Sequence, residues 1–347
     1  MKTIALKQRS IGPGLPVYVI AEVAQAHEGS LGMAHAYIDA VAKTGADAVK
    51  FQTHIAEEES TPQEPWRINF SYEDDSRFDY WKRMEFDLEQ WLGLKKHAKD
   101  VGLEFLSSPF STKAVEWLIR CEVPAWKIAS GEINNFILYE AIARTGLPVL
   151  LSSGMSREEE TDTSVRFFRE WGIDVAVMQC TTAYPCPPEL VGLKQLARYA
   201  ARYDCPVGLS DHSGNTAASL AAVALGASLI EVHVTLSREM FGPDTPASLT
   251  TKELTGLCDG VRRIERMLGA DYDKNALAAQ DQDLAAMFGK ALVAVQDLKA
   301  GETVTLASLT SKKPRLGIPA SALYEVLGKR VRRDVVRGAF LQREDLA

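Results

Sequence analysis

Two histidines, His212 and His233, end two successive apolar segments of the chain, 206–212 and 228–233. A helix-length segment separates them, which predicts neighbouring parallel strands whose last residues meet at one end of a sheet. Imidazole is a common ligand of divalent transition metals, so the pair predicts a metal site. Two hydrogen-bonded histidines of the protein core are the alternative interpretation.

Two lysines lie inside predicted strands, with apolar neighbours on both sides. Lys50 occurs in AVKFQ and Lys127 in AWKIA. Burying an unpaired charge is costly, so each ammonium group requires an anion beside it. Two lysines and several strand-end hydroxyl groups around one opening favour a phosphate and a carboxylate bound together. Buried ion pairs with Glu22 or Glu132 are the alternative.

These residues together predict a metal-assisted reaction on a small anionic substrate that carries phosphate. The sequence shows no Ser-His-Asp or Cys-His nucleophile pattern. Two histidine ligands with positions open for water and substrate favour Mn²⁺, Co²⁺ or Fe²⁺ over Zn²⁺, which usually takes three or four protein ligands. The metal is expected to polarise a carbonyl group as a Lewis acid.

The elements that must position these residues follow a regular alternation. Apolar, β-rich segments alternate with helix-like segments, which is typical of parallel βαβ units. Eight such units in about 270 residues favour a closed (β/α)₈ TIM barrel over an open doubly wound sheet, with the site at the carboxyl ends of the strands. The predicted strands lie at 17–24, 47–54, 103–110, 125–132, 148–155, 175–182, 206–213 and 229–236.

Two segments depart from this alternation. Residues 55–85 are acidic, aromatic and aperiodic, as expected of a lid or binding loop. We expect a TIM-barrel catalytic domain at 1–270 and a polar, Ala-rich linker at 271–287. Residues 288–347 have short predicted strands and many turns, which indicates a small β-rich domain.

Composition narrows the class of protein. The formal net charge is −7, but residues 288–347 carry 11 Lys and Arg against 6 Asp and Glu, so the barrel is acidic and the C-terminal domain basic. Since that domain has no nucleic-acid motif, nucleic acid is not an expected partner. No segment approaches membrane-spanning length. The five cysteines show no CxxC spacing, so we expect a reducing, cytoplasmic location.

Eight motifs, at or near the ends of the predicted strands, resemble those of the sialic acid synthases. These enzymes condense phosphoenolpyruvate with N-acetylmannosamine or a related N-acyl sugar and release phosphate. The resemblance covers nearly the whole chain, and residues 288–347 resemble the antifreeze-like (SAF) domain that ends these synthases. The motifs are IAEVAQAHEG (20–29), GADAVKFQTH (45–54), FLSSPFS (105–111), KIASGEINNF (127–136), LLSSGMS (150–156), QCTTAYP (179–185), GLSDHSG (208–214) and EVHVTLSREMFGPDTPASL (231–249).

The resemblance implies a role for each matching residue. His212 and His233 resemble the two metal ligands, with Mn²⁺ the expected ion and Mg²⁺ or Co²⁺ the alternatives. Glu22 resembles a carboxylate beside the metal, and it and Glu132 are expected to transfer protons. The residues that look like the phosphoenolpyruvate site are Lys50, Lys127, Ser130, Ser152, Thr182 and Ser210. Those that look like the acceptor-sugar site are Gln52, Ser108, Phe110, Glu132, Tyr184 and Asp244. Glu231 is expected to orient a metal-bound water or a ligand histidine.

One departure from the family concerns the acceptor. The family's small domain reaches the barrel of a second subunit and supplies an arginine to the sugar's acyl group, which implies a domain-swapped homodimer. In this chain Lys313 stands in the place of that arginine, with Arg315 nearby. Lysine keeps the positive charge but loses the planar fork of donors, so the acceptor contact differs here.

Three questions stay open at the level of sequence. The acceptor is N-acetylmannosamine, or a dideoxy-diacetamido hexose that leads to legionaminic or pseudaminic acid. A barrel that binds a sugar phosphate without turnover is another reading, against which the complete set of Lys, His and Glu residues argues. Ice or surface binding by the C-terminal domain rests on fold analogy alone.

Overall fold

Eight parallel strands, each followed by a helix, build the first part of the chain. The computed structural model describes residues 2–7 and 9–347. The strands are β1 (Tyr18–Ala24), β2 (Ala48–Thr53), β3 (Glu104–Pro109), β4 (Trp126–Ile128), β5 (Val149–Ser152), β6 (Val175–Cys180), β7 (Val207–Asp211) and β8 (Leu229–Thr235). The helices that follow them are α1 (Leu31–Val41), α2 (Leu88–Asp100), α3 (Thr112–Arg120), α4 (Phe136–Ala143), α5 (Glu158–Glu170), α6 (Lys194–Tyr203), α7 (Ala217–Ala224) and α8 (Thr251–Gly269).

The strands form a nearly closed barrel, which confirms the predicted TIM-barrel architecture. The hydrogen-bonded path runs β3–β2–β1–β8–β7–β6–β5–β4, and every pairing along it is parallel. The two end strands, β3 and β4, lie side by side. Side chains alternate between the inside and the outside of the barrel along each strand. The outward residues, among them Val19, Val49 and Val232, pack in the large core beneath the helices.

The inside of the barrel changes from apolar to polar along the strands. A closed apolar floor fills the amino-terminal half of the barrel, with members Tyr18, Ile20, Ala48, Leu106, Ala125, Leu150, Ala176, Met178 and Leu229. The next inward position on the same strands is polar, as Ile20 is followed by Glu22 and Ala48 by Lys50. An antiparallel hairpin, Ile4–Ala5 with Ser10–Ile11, adds buried side chains to the floor. The polar side chains inside the barrel therefore lie toward the carboxyl ends of the strands.

The aromatic insert between β2 and α2 is folded. It contains two short helices, Ala56–Glu59 and Arg77–Met84, and Ser76 caps the second one with a capping box. The rings of Trp66, Phe70 and Tyr80 pack against one another, with their centroids 5.1–6.0 Å apart. Short elements elsewhere in the barrel are the strand Leu249–Thr250, which pairs with β8, and the 3₁₀ turns Ser130–Glu132, Pro188–Leu190 and Thr245–Ala247.

A second compact unit begins at Asp271. The segment that we expect to be a linker forms two short helices, Lys274–Gln280 and Gln282–Phe288. The rest has an antiparallel pair of strands, Ala291–Ala294 and Leu309–Lys312, around its own apolar core. Its remaining elements are the helix Leu323–Val326 and the 3₁₀ turns Leu306–Ser308, Ala320–Ala322 and Arg343–Asp345. Within residues 2–7 and 9–347, no helix combines the length and the apolar character needed to cross a membrane.

Candidate active site

A cavity of about 550 Å³ opens at the carboxyl ends of the barrel strands. It gathers every site residue predicted from the sequence except Lys313. The barrel residues that line it are Glu22, Lys50, Gln52, Ser108, Phe110, Lys127, Ser130, Glu132, Ser152, Thr182, Tyr184, Ser210, His212, His233 and Asp244. Glu231 lines the same cavity.

Two lysines and two glutamates form a buried cluster at the bottom of this cavity. Lys50 Nζ lies 2.5 Å from Glu22 Oε2 and 3.8 Å from Glu231 Oε2. Lys127 Nζ lies 3.3 Å from Glu231 Oε1 and donates to Ser152 Oγ at 2.7 Å. The ion pair between Lys50 and Glu22, which the sequence left as an alternative, is therefore present. Both ammonium groups nevertheless face the cavity, where an anion can reach them.

Glu231 lies between the two lysines. Ser210 Oγ also donates to its Oε1 at 3.1 Å, while its Oε2 accepts no hydrogen bond from a described residue. Burial alone would raise the pKa of Glu231, but Lys127 and Lys50 outweigh burial and hold its pKa below the usual range. This position makes Glu231 the counter-charge of the two lysines, and its role in orienting a metal-bound water or a ligand histidine stays a prediction.

The pKa of Glu22 is shifted in the opposite direction to that of Glu231. Burial raises its pKa, and the nearby negative charge of Glu231 adds to that effect, while Lys50 and Gln52 oppose it. Gln52 Nε2 donates to Glu22 Oε1 at 2.8 Å. A carboxyl group whose pKa is raised toward neutrality can both accept and release a proton near neutral pH.

Hydroxyl groups at the carboxyl ends of β4, β5 and β6, or just after them, line one side of the cavity. Gly154 N donates to Ser130 Oγ at 3.1 Å. A Cβ atom at Gly154 would lie 2.5 Å from Ser130 Oγ and 2.7 Å from Thr182 Oγ1, so only glycine leaves this wall intact. With Lys127 and Ser152 beside them, these donors form a wall suited to phosphate oxygens.

The two histidines face each other at the rim of the cavity. Their ring centroids are 5.2 Å apart and their planes are at 67°. His212 Nδ1 donates to the carbonyl oxygen of Thr181 at 2.8 Å, which leaves the lone pair on Nε2. Tyr184 stacks on the His212 ring and its hydroxyl group donates to that Nε2 at 3.1 Å. Burial lowers the pKa of both imidazoles, to about 4 for His212 and about 3 for His233, so both are neutral at pH 7.

This donor set fits a divalent ion with open coordination positions. A histidine binds a metal ion only when its imidazole is neutral. The ring nitrogen that does not bind the metal usually donates a hydrogen bond, as His212 Nδ1 does here. Within the described part of the chain, no group of three or more His, Cys, Asp or Glu side chains is arranged to hold one ion. The protein therefore offers the two imidazoles, and water or substrate would supply the other ligands.

Two further residues, Ser108 on β3 and Glu132 after β4, line the cavity beside the hydroxyl groups. Ser108 is buried, and its Oγ has no hydrogen-bond partner among the described residues although it lines the cavity. Glu132 accepts from Asn135 Nδ2 at 2.7 Å, and burial raises its pKa. An unpartnered hydroxyl and a carboxyl of raised pKa are groups that a bound substrate can satisfy.

The whole barrel region matches a known family. The model of the NeuB family covers residues 37–273, which is more than half of the 347 residues. The chain belongs to the NeuB family. The SAF domain model matches residues 289–347, so the C-terminal part of this NeuB-family chain is an SAF domain.

Named relatives agree with this assignment. The chain is 36% identical to the N,N'-diacetyllegionaminic acid synthase of Campylobacter jejuni over 317 residues, which cover 90% of the chain and 94% of that protein. It is 33% identical to the N-acetylneuraminate-9-phosphate synthase of Mus musculus over 329 residues, or 93% of the chain and 90% of that protein. The solved N-acetylneuraminic acid synthetase of Leptospira borgpetersenii superposes with a TM-score of 0.72 at 31% identity and covers 82% of the chain and 96% of that structure.

The insert of this NeuB-family chain adds residues that the sequence did not single out. Arg67 Nη2 donates to Asp244 Oδ1 at 3.1 Å, and the guanidinium lies 4.5 Å from the centre of the Tyr184 ring. The ring of His54, which directly precedes the insert, is stacked between the rings of Trp81 and Phe110, with centroid distances of 4.1 and 4.2 Å. The sequence indicates only that the insert is rich in aromatic residues. An aperiodic segment has no pattern that tells which of its side chains turn inward.

Two contacts of His54 extend this network to the bottom of the cavity. His54 Nε2 donates to Gln52 Oε1 at 3.1 Å, and its Nδ1 contacts Glu59 Oε1. Since Gln52 in turn donates to Glu22, the insert helps to orient the amide that holds this carboxyl group.

Lys313 is the one predicted site residue outside the barrel cavity lining. It follows the strand Leu309–Lys312 of the SAF domain. Its Nζ lies 5.2 Å from the centre of the Phe288 ring, a cation–π contact within the same unit.

Proposed function

We propose that this protein is a nonulosonic acid synthase that condenses phosphoenolpyruvate with an N-acyl hexosamine and releases phosphate. One observation carries the proposal: two buried lysines and a wall of hydroxyl groups share a single cavity with two facing neutral imidazoles. An anion site and a metal-type site in one cavity are what a reaction between an enol phosphate and an aldehyde requires. Membership of the NeuB family supports it.

The lysine side of the cavity would hold phosphoenolpyruvate. Lys127, Ser130, Ser152, Thr182 and Ser210 offer donors to its phosphate and carboxylate. Before substrate arrives, Lys50 and Lys127 each lie close to a carboxylate. Neither ammonium group is therefore an unpaired buried charge. The substrate anions would share these ammonium groups with Glu22 and Glu231.

The imidazoles of His212 and His233 would hold a divalent ion, for which Mn²⁺ is our first choice and Mg²⁺ or Co²⁺ are alternatives. Such an ion, when bound, supplies Lewis-acid polarisation of the aldehyde. The residues around it orient the acceptor: Tyr184 and Asp244 line the cavity beside the histidines, and Asp244 Oδ2 lies 3.8 Å from His233 Nδ1.

The proposed reaction joins phosphoenolpyruvate and the sugar through a new carbon–carbon bond. C3 of phosphoenolpyruvate forms a bond to the aldehyde carbon of the open-chain sugar, and the aldehyde oxygen gains a proton. Water adds at C2 and gives up a proton, for which the Glu22 carboxylate lies at the bottom of the cavity and Glu132 at its side. The C2–O bond to phosphate then breaks, the new C2 hydroxyl group becomes the keto group and its proton passes to the leaving phosphate, and the product is a 2-keto acid with three more carbons than the sugar. Lys50 and Lys127 stabilise the negative charge that passes to the leaving phosphate.

The acceptor would be N-acetylmannosamine or, alternatively, a dideoxy-diacetamido hexose. The outer wall is rich in aromatic rings, among them Trp66, Trp81 and Phe110, which favours acyl and methyl groups on the sugar. In the proposed domain-swapped homodimer, Lys313 of a second subunit would reach the acyl group in place of an arginine.

A phosphate-release screen tests the proposal. The full chain would be incubated with phosphoenolpyruvate, Mn²⁺ and each of several N-acyl hexosamines, including diacetamido dideoxy sugars. Steady phosphate release that depends on one sugar supports the synthase. Binding of phosphoenolpyruvate without release in the presence of any of the sugars would favour the non-catalytic sugar-phosphate barrel.

A further inference from the structure

Gln25 carries an unused hydrogen-bond donor beside the active-site cavity. Its side chain lines the cavity, and the residue is only 6% exposed. The Nε2 atom is buried and has no hydrogen-bond partner among the described residues. A buried polar group without a partner is destabilising, and most such groups in folded proteins are satisfied. A ligand in the cavity can supply the missing acceptor.

The local backbone explains why Gln25 points inward. The register between β1 and β2 shifts between Glu22 and Ala24, as in a β-bulge, and Ala24 has a left-handed φ of +49°. The chain then turns tightly, with Glu28 N donating to the carbonyl oxygen of Gln25 at 2.9 Å. Bulges of this kind redirect a side chain next to an active site.

Gln25 lies on the acceptor side of the cavity rather than on the phosphate side. Strand β1 is flanked by β8, which carries His233, and by β2, which carries Gln52 and, one inward position earlier on the strand, Lys50. The turn after β1 approaches the loop that holds Asp244, because a Cβ atom at Gly242 would lie 3.3 Å from Glu28 Oε1. The hydroxyl wall stands on β4, β5 and β6, across the barrel from β1.

We propose that Gln25 is a specificity-determining residue that donates a hydrogen bond to an uncharged oxygen of the acceptor sugar, either an acyl carbonyl or a hydroxyl group. This inference rests on the proposed function and adds to it. A neutral amide N–H complements a neutral oxygen, whereas the charged oxygens of phosphoenolpyruvate are matched by the ammonium groups of Lys50 and Lys127 at the bottom of the cavity. Gln25 therefore distinguishes acceptors and is indifferent to phosphoenolpyruvate.

The test replaces Gln25 by Met in the full chain, which keeps the length of the side chain and removes the donor. The KM for the acceptor is expected to rise about tenfold, because a sugar oxygen then enters the cavity without a donor. The KM for phosphoenolpyruvate and kcat are expected to stay within about twofold. The ligand-free protein should melt a few degrees higher, since the unpartnered buried amide is gone.

Gln179→Met is the matched control. Gln179 is also buried, but its Nε2 donates to the carbonyl oxygen of Val191 at 3.2 Å. This substitution is expected to lower the melting temperature and to leave the ratio of the two KM values unchanged. A second variant, Gln25→Glu, replaces the donor by an acceptor and should raise the acceptor KM at least as much as Gln25→Met does.

The outcomes separate this inference from the proposed function. If Gln25→Met raises both KM values equally, or lowers the melting temperature as Gln179→Met does while the acceptor KM stays constant, the role of Gln25 is wrong although the synthase stands. If the parent protein releases no phosphate with any N-acyl hexosamine, the proposed function itself fails. A selective rise in the acceptor KM with a higher melting temperature supports the inference.

Discussion

Removing the charge of Glu231 should have two opposite effects, one on the stability of the free protein and one on anion binding. Glu231 is 4% exposed and lies 3.3 Å from Lys127 Nζ and 3.8 Å from Lys50 Nζ. In the variant Glu231→Gln, Lys50 keeps its ion pair with Glu22, whereas Lys127 loses the carboxylate that it pairs with in the described structure.

The geometry sets the size of the effect on stability. At an effective dielectric constant of ~20, each Coulomb attraction at these distances is about 4–5 kcal/mol, of which the desolvation of the carboxylate offsets a large part. Breaking a buried ion pair by removing one partner typically costs about 3–5 kcal/mol. We therefore expect the free energy of unfolding to fall by ~4 kcal/mol. The melting temperature should then fall by roughly 10 °C.

Anion binding should change in the other direction. Without Glu231, the charge of Lys127 is uncompensated, so inorganic phosphate should bind more tightly and stabilise the variant more than the parent. Thermal melting with and without phosphate measures both effects. Glu116→Gln is the matched control: Glu116 lies 2.8 Å from Lys113 but is 64% exposed at its side chain, and its removal should change stability by less than about 1 kcal/mol.

Two results would refute this reasoning. An unchanged melting temperature for Glu231→Gln would show that the glutamate does not neutralise the lysines. Weaker stabilisation of the variant by phosphate than of the parent would show that the ammonium groups are not the anion site.

Four further predictions concern the rest of the site. The variant His212→Ala should lose metal-stimulated phosphate release with little change in melting temperature, and unchanged turnover of chelated parent enzyme would refute the metal role. Lys313→Ala should raise the acceptor KM more than the phosphoenolpyruvate KM, and an equal rise in both would argue against a position beside the sugar. Arg67→Met removes a cation–π contact worth about 0.5–1 kcal/mol at a partly exposed site, so the acceptor KM should rise about twofold to fivefold; a larger effect on the phosphoenolpyruvate KM would contradict its placement. Burial raises the pKa of Glu22 to about 7, and the ionised form accepts protons, so kcat should decline as the pH falls through about 7. A flat profile over that range would exclude Glu22 from proton transfer.

The barrel and most of the site could be predicted because their signals are periodic. Alternating strands and helices determine the order of the elements, and strand parity places Lys50 and His233 on the inner face. Polar residues that follow an apolar floor on the same strands must meet at one opening. This is why the predicted residues of the barrel converge in one cavity.

The parts that could not be predicted depend on contacts across the barrel or on irregular backbone. The sequence does not tell that Glu231, rather than Glu132, pairs with Lys127, because that choice depends on distances between side chains of different strands. Gln25 turns inward through a bulge, and Arg67 reaches Asp244 from an aperiodic insert. Neither has a periodic signature.

The most direct measurement follows the bridging oxygen of phosphoenolpyruvate. The protein would be supplied with phosphoenolpyruvate labelled with ¹⁸O between C2 and phosphorus, together with an N-acyl hexosamine and Mn²⁺, and the masses of phosphate and organic product would be determined. Condensation with C–O cleavage predicts that the label appears in the phosphate, and only when the sugar is present, alongside an unlabelled 2-keto acid three carbons longer than the sugar. Label retained in the organic product, or phosphate formed equally well without sugar, would contradict the proposed synthase.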